Sequence, residues 1–406
     1  MSDSHKLDPS GALVEALSLK PLADGPLDGL SFTVKDNIDI AGRKTSYGNP
    51  TWRDQHHTPH YNALCVDQLL AAGAHCIGKT VADEFTYSLD GENPFFGTPR
   101  NAKAPDRIPG GSSSGSASSV ANGLCDFSIG TDSGGSIRVP ASLCGVWGMR
   151  PSLHRISEAG VLPFMPSVST VGAVTARFEH LTSVIRVLLR SNMRPPVPLQ
   201  RILVLSDAMD IADAPVRTAA EAALDKVSRR TGLDLQPISF AQIVGQDLPL
   251  SDCNENALRV LQSLEFQNTV GNWIESNAPE IGMSFSMAYE NLRQLDRNQV
   301  MQCLDTCERY FEAIQALMTS GTVICFPTTP TIAPLKNSLN SMETVGDFYG
   351  RTMSITAFSG VGRLPEISAP LLTVETCPVG LSFAAGHDQD EFLLSTVQEM
   401  LGQQAP

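Results

Sequence analysis

Two neighbouring stretches decide the reading of the fold: Pro109 to Ala117, PGGSSSGSA, and Gly130 to Ser142, GTDSGGSIRVPAS. Composition alone makes a Gly/Ser run a flexible linker. The flanks argue otherwise, because a helix-compatible stretch, Ala117 to Gly123, and a buried-strand run, Phe127 to Gly130, follow closely and pin the loop inside a core. Neither glycine run ends in Gly-Lys-Ser/Thr and there is no GxGxxG, which disfavours phosphate cradling. Gly111 to Gly115 satisfies GxSxG with Ser113 at its centre. A nucleophile elbow must follow a strand and find an acid and a histidine downstream. The preceding KAPDRIPG, with two prolines and three charges, is a poor strand, and the candidate bases His154, His180 and His387 lie in no recognisable context.

A further reading takes Ser136 as nucleophile. The paired glycines in Thr131 to Ser136 let the backbone curl so that several N–H groups point inward, a nest suited to an oxyanion, and Pro140 fits the opening turn of a following helix. A serine at the end of such a nest has its hydroxyl beside donors that stabilise a tetrahedral intermediate. It lacks a local base. Lys35, in FTVKDNID, is a candidate: in a strand, Phe32 and Val34 alternate with Thr33 and Lys35, which puts Lys35 on the face opposite the aromatic. A strand lysine is ordinarily a solvated edge residue, so the residues alone leave the elbow and nest readings open.

Outside these loops, the 406 residues carry 29 Lys+Arg against 43 Asp+Glu, a formal charge of −14, the reverse of a nucleic-acid binder. Hydrophobic residues at 42% against 18% charged can bury a large core. Nine cysteines without a CxxC pair read as reduced thiols in a cytoplasmic protein. The start, MSDSHKLDPSGALVEAL, lacks the basic and apolar regions of a signal peptide, and no window approaches 18 uninterrupted apolar residues, so neither export nor membrane spanning is expected.

Short apolar runs (Leu30 to Val34, Cys76 to Gly78, Phe127 to Gly130, Arg201 to Leu205, Thr322 to Phe326, Val379 to Phe383) alternate with helical stretches (Asn62 to Ala72, His180 to Leu189, Pro215 to Arg230, Ala257 to Glu275, Ala288 to Met318, Glu391 to Leu401). This predicts an α/β fold, one large domain with a central mixed β-sheet covered by helices on both faces. The expected division is an N-terminal segment over 1–28 and a domain over 29–406 whose signature core spans about 105–145, with Ser191 to Gln200, rich in proline, as a bend between layers. His56, His57 and His60 read as solvated loop histidines, because Pro59 spoils metal-ligand spacing. Cys303 and Cys307 read as packing residues on one helix face, and Asp83, Glu84 and Glu92 as cap or pocket-rim charges. Asp132 and Arg138 are expected to brace the nest, and Trp52, Tyr87, Phe95 and Phe96 to fill core or pocket wall.

Taken together, these stretches make the chain resemble the amidase signature enzymes. Three elements match in order: VKDNID around Lys35, GGSSSGS around Ser112, and GTDSGGSIRVPAS around Ser136, with Ser112 and Ser136 24 residues apart as in that family. PTTPTIAP near Pro327 and SGVGRLPEISAPL near Pro365 extend the likeness toward the C-terminus. SYGNPTW (Ser46 to Trp52) and YSLDGENPFFGTPRN (Tyr87 to Asn101) look most like the short, stand-alone amidases that hydrolyse indole-3-acetamide in plants.

The resemblance implies a Ser-cisSer-Lys triad, with Ser136 as nucleophile, Ser112 as bridging proton carrier behind a cis peptide, and Lys35 as base. Backbone N–H groups of Ser133, Gly134, Gly135 and Ser136 would form the oxyanion hole, leaving Ser113 a neighbour. Ser169 in PSVSTVG stands where relatives commonly place an aspartate. The implied activity is hydrolysis of a small primary amide, with indole-3-acetamide the best single guess, through a Ser136 acyl-enzyme. No cofactor and no metal are expected; the partner is the small-molecule amide, with no nucleic acid or membrane, and a homodimer is the assembly considered. The alternatives are the catalytic component of an amidotransferase that works with partner subunits, and a non-catalytic interaction module on the same fold. A lysine of ordinary pKa is neutral in roughly one molecule in 2,500 at pH 7, a handicap of about 4.6 kcal/mol, so burial must lower the Lys35 pKa.

Overall fold

The computed structural model describes residues 8–190, 197–292 and 297–402, the side chains of 291, 292 and 297 aside. Residues 191–196 of the expected proline-rich bend lie outside the described residues. Eleven strands are described: β1 (Leu13–Leu19), β2 (Ser31–Lys35), β3 (His75–Thr80), β4 (Phe127–Asp132), β5 (Trp147–Arg150), β6 (Thr170–Thr175), β7 (Arg201–Leu205), β8 (Leu235–Ile238), β9 (Thr322–Pro327), β10 (Glu366–Val374) and β11 (Cys377–Ala384). They form one sheet in the order β1-β3-β2-β4-β6-β5-β10-β11-β9-β7-β8. The sheet is mixed: β3, β2 and β4 run parallel, as do β9, β7 and β8, while the strands between pair antiparallel. β1, drawn from before residue 29, pairs antiparallel with β3 at one edge.

Every residue of β4, β6 and β9 is buried, as central strands covered on both faces require. Alternation along a strand separates two cores. Val323 and Cys325 of β9 join one hydrophobic cluster with Phe32, Val34, Phe127 and Ile129, whereas Ile324 and Phe326 join another with Leu258, Phe266 and Phe358. The first cluster is covered by the helices Leu64–Ala71, Phe178–Leu189, Ala214–Thr231 and Asp390–Leu401, the second by Arg259–Phe266, Arg297–Leu317 and Met342–Val361.

All six strands expected from apolar runs are present. The expected Ala257 to Glu275 helix lies within a continuous helical run, α-helical over Arg259–Phe266 and Asn272–Asn277 and π-helical over Cys253–Leu258 and Gln267–Gly271. The expected Ala288 to Met318 helix is described over Met283–Leu292 and Arg297–Leu317, and residues 293–296 lie outside the described residues.

Two local features position the site. Phe32 of β2 stacks on its register partner Phe127 of β4 with ring centroids 5.2 Å apart, which fixes β2 so that Lys35 ends beside Thr131. The helix Ser114–Ala121, SGSASSVA, has few strong helix formers, yet Ser114 to Val120 are all buried. Its small residues permit close packing, and its hydroxyls find partners: Ser116 Oγ lies 3.0 Å from Thr80 Oγ1, Ser119 Oγ 3.1 Å from Thr33 Oγ1, and Ser118 Oγ donates to Arg100 O at 2.8 Å.

Candidate active site

Lys35 closes β2 with its side chain on the face opposite Phe32, wholly buried. Its Nζ lies 2.7 Å from Ser112 Oγ, 3.0 Å from Thr131 Oγ1 and 3.5 Å from Thr131 O. Burial lowers the Lys35 pKa to about 7, against the upward pull of the Asp83 and Asp132 charges. Burial thus favours the neutral amine, the form that can accept a proton.

The Gly111–Ser112 peptide is cis. The Ser113 N–H donates to Ser136 O at 3.1 Å and so ties the Ser112 loop to the nest. Ser113 itself turns inward: its Oγ donates to Thr131 O at 3.2 Å, and a Cβ on Gly130 would meet Ser113 Oγ at 2.7 Å. The elbow reading therefore has no structural footing, since Ser113 is fully buried and no histidine among the described residues hydrogen-bonds to it.

Ser136 is 6% exposed and precedes the Arg138–Cys144 helix, which holds Pro140 in its first turn. The nest is built around Asp132, whose carboxylate accepts the N–H of Gly135 at 3.1 Å, Ile137 at 3.0 Å and Arg138 at 3.3 Å. Gly135 has φ +123°, and a Cβ there would meet Val139 Cγ2 at 3.0 Å and Thr356 Cγ2 at 3.1 Å, so the turn requires glycine. Of the four N–H groups expected to receive an oxyanion, that of Gly135 is thus already engaged by Asp132.

Asp132 and Arg138 brace the loop as expected, within a larger network. Arg138 grips Asp132 through two hydrogen bonds, at 3.0 and 2.8 Å, and reaches Glu366 of β10 at 2.7 Å, while Arg150 approaches Asp132 Oδ1 at 3.3 Å. All four side chains are fully buried, two cations against two anions. Burial pushes the Asp132 carboxyl up, but Arg138 and Arg150 override it and hold the pKa well below the usual carboxylate range.

Ser133 Oγ and Ser169 Oγ lie 2.5 Å apart, and Ser169 Oγ also accepts the Met165 N–H at 3.2 Å. Val168 and Leu258 approach Gly360 beside Ser133 O, and Met353 Cε comes within 3.4 Å of a Cβ built on Gly134. The apolar wall continues through Phe164 into a run of ring contacts with Tyr87, Phe266 and Phe285. Trp52 and Tyr87 belong to this cluster, whereas Phe266 and Phe285 come from segments that no sequence motif marks.

One expectation is corrected. Asp83 and Glu84 are not rim charges: they are 1% and 5% exposed. Asp83 donates its N–H to Ser112 O at 3.2 Å, and Glu84 accepts from Asn49 Nδ2 at 2.8 Å and the Gly282 N–H at 3.0 Å. Only Glu92 is half-buried, accepting the Asn337 N–H at 2.9 Å. His56 stacks on Trp52 at 3.8 Å.

A buried lysine hydrogen-bonded to a buried serine, with a second serine closing a glycine nest, stands at the centre of the large mixed sheet. The sequence profile of the Amidase family matches residues 4–394, and the chain belongs to that family, the amidase signature enzymes. It is 34% identical over 417 residues to Amidase 1 of Arabidopsis thaliana, covering 96% of this chain and 97% of that protein. A crystal structure of an amidase superposes with a TM-score of 0.83 at 25% identity, covering 95% of this chain and 86% of the other. A glutamyl-tRNA(Gln) amidotransferase subunit from Halobacterium salinarum is 40% identical over 177 residues, only 44% of this chain and 41% of that protein. The protein is a hydrolase acting on amides.

Proposed function

We propose that this amidase hydrolyses a small primary amide with an aryl acyl group, an arylacetamide such as indole-3-acetamide being the leading candidate, through an acyl-enzyme on Ser136. One observation carries the reading: the buried Lys35 Nζ lies 2.7 Å from Ser112 Oγ, on a loop tied to Ser136. The neutral amine accepts the Ser112 proton while Ser112 takes that of Ser136, whose oxygen attacks the carbonyl carbon. The N–H groups of Ser133, Gly134 and Ser136 receive the oxyanion, and Gly135, bound to Asp132, keeps the loop curled. The reversed relay protonates the leaving nitrogen, because an amide anion is a very poor leaving group. Ammonia departs and water repeats the sequence on the acyl-enzyme.

The wall of Val168, Leu258 and Met353 beside the nest suits an uncharged, apolar acyl group. No cofactor or metal is invoked, and the setting is cytoplasmic; no helix among the described residues is long and apolar enough to cross a membrane. Ammonia release from a panel of primary amides tests the substrate class. Hydroxylamine tests the intermediate: an amide and an ester of one acid must give one ratio of hydroxamate to free acid, and ratios that depend on the leaving group remove the acyl-enzyme. The amidotransferase alternative draws on a match limited to part of the chain. Turnover by the purified protein without partner subunits decides against it.

A further inference from the structure

We infer that Asp83 is a positioning residue for the Lys35 base: its carboxylate, packed against the Ser112 loop, sets how readily the Lys35 amine takes up and returns a proton. The inference rests on the Ser136–Ser112–Lys35 reading and adds a fourth group to it.

Asp83 follows β3 and is anchored at the site by its backbone, through its N–H to Ser112 O at 3.2 Å. Its side chain lies against the α-carbon of Gly111, where a Cβ would meet Oδ2 at 1.9 Å and Oδ1 at 2.8 Å. Any side chain at 111 would expel the carboxylate. Oδ2 accepts the Ser88 hydroxyl at 2.5 Å and the Gly91 N–H at 3.0 Å, whereas Oδ1 is buried without a hydrogen-bond partner. A bare buried carboxylate oxygen is costly, and the cost is relieved either by a proton or by a nearby cation.

The surrounding charges leave Lys35 as that cation. Asp132 also acts on Lys35, but Arg138 and Arg150 answer its charge; Asp36, the next residue along, is paired with Lys79 at 2.6 Å. On the other side of Asp83 stands Asp90, which receives the Tyr349 hydroxyl at 2.6 Å and reinforces the pressure on Asp83 to hold a proton. Burial, then Asp90, raises the Asp83 pKa to about 7, the same range to which burial lowers Lys35. The two groups therefore titrate as a pair. The consequence is functional: desolvation alone would leave a neutral but feeble base, and the neighbouring carboxylate restores enough proton affinity for an amine that must first accept and then return a proton.

The test is the pH dependence of kcat/KM for wild type, Asp83→Asn and Ser88→Ala, each shown folded by circular dichroism across the range. Asp83→Asn removes the charge that holds the lysine proton, so the acid limb moves to lower pH by about one unit or more. Ser88→Ala removes a hydrogen bond to the ionised carboxylate and moves the limb the same way by less; it also serves if Asp83→Asn fails to fold. A purely structural role would lower the rate without moving the limb. A limb unmoved, or moved upward, in the folded variants overturns the inference. Lys35→Ala separates the two levels: full activity in that variant defeats the triad reading itself, whereas an inactive Lys35→Ala beside an unmoved limb defeats the role of Asp83 alone.

Discussion

Ser113 and Ser136 are joined backbone to backbone, N–H to carbonyl at 3.1 Å, which ties the loop that presents Ser112 to the loop that ends in the nest. The bond uses only main-chain atoms of Ser113. Its hydroxyl is spent elsewhere, on Thr131 O.

That division gives the first prediction. Ser136→Ala abolishes turnover, whereas Ser113→Ala keeps the inter-loop bond, loses one neutral hydrogen bond worth about 1 kcal/mol, and retains much of the activity. Ammonia release from the best substrate checks both variants; a dead Ser113→Ala beside an active Ser136→Ala would restore the elbow.

The lowered Lys35 pKa fixes the sign of the pH profile. The rate rises with pH through about 7 and holds into the alkaline range, because only the neutral amine accepts a proton. Over the same interval the folded protein binds fewer protons at this site than the unfolded chain, so Lys35 adds stability as pH climbs from about 7 toward the ordinary lysine value. A rate that falls between pH 7 and 9 in folded protein would contradict a lysine base.

Arg138→Met is expected to cost about 3–5 kcal/mol, because it strands Asp132 and Glu366 in the core with Arg150 as their only cation in the network. The urea midpoint measures it, and a shift under about 1 kcal/mol would mean that water reaches the network.

Gly135→Ala places a methyl group 3.0 Å from Val139 Cγ2 at a φ that alanine rarely adopts. The expected result is a loss of about 1–3 kcal/mol in stability together with loss of turnover, since the nest must uncurl to accept it. Near-normal kinetics in this variant would show that the curl is dispensable.

The candidate site was legible in the sequence because its residues fall in short motifs at fixed spacing. Lys35, Ser112 and Ser136 could be named from three short motifs, and the side of β2 on which Lys35 lies followed from Phe32 and Val34 alone. Of the five strands that escaped, four have an apolar pattern broken from within, by Gly148 in β5, Gly172 in β6, Pro237 in β8 and Pro370 in β10, and the fifth, β1, is a partly exposed edge strand. The Met342–Val361 helix hid behind Gly346, Gly350 and Gly360. Asp83 read as a cap or pocket-rim charge, because what buries it is contact with Gly111 and the 88–91 turn, and Glu366 could not be assigned to Arg138 across so much chain.

Glu366 carries one more consequence. The lysine, both serines and the nest are complete by residue 136, but half of the negative charge that lets Arg138 stay buried arrives with β10. Without Glu366, Arg138 and Arg150 would share the single carboxylate of Asp132 in this buried network. The network closes only through β10, which pairs with β5 and brings Glu366 to 2.7 Å from Arg138, so the brace of the nest spans the sheet from a strand near the other end of the sequence.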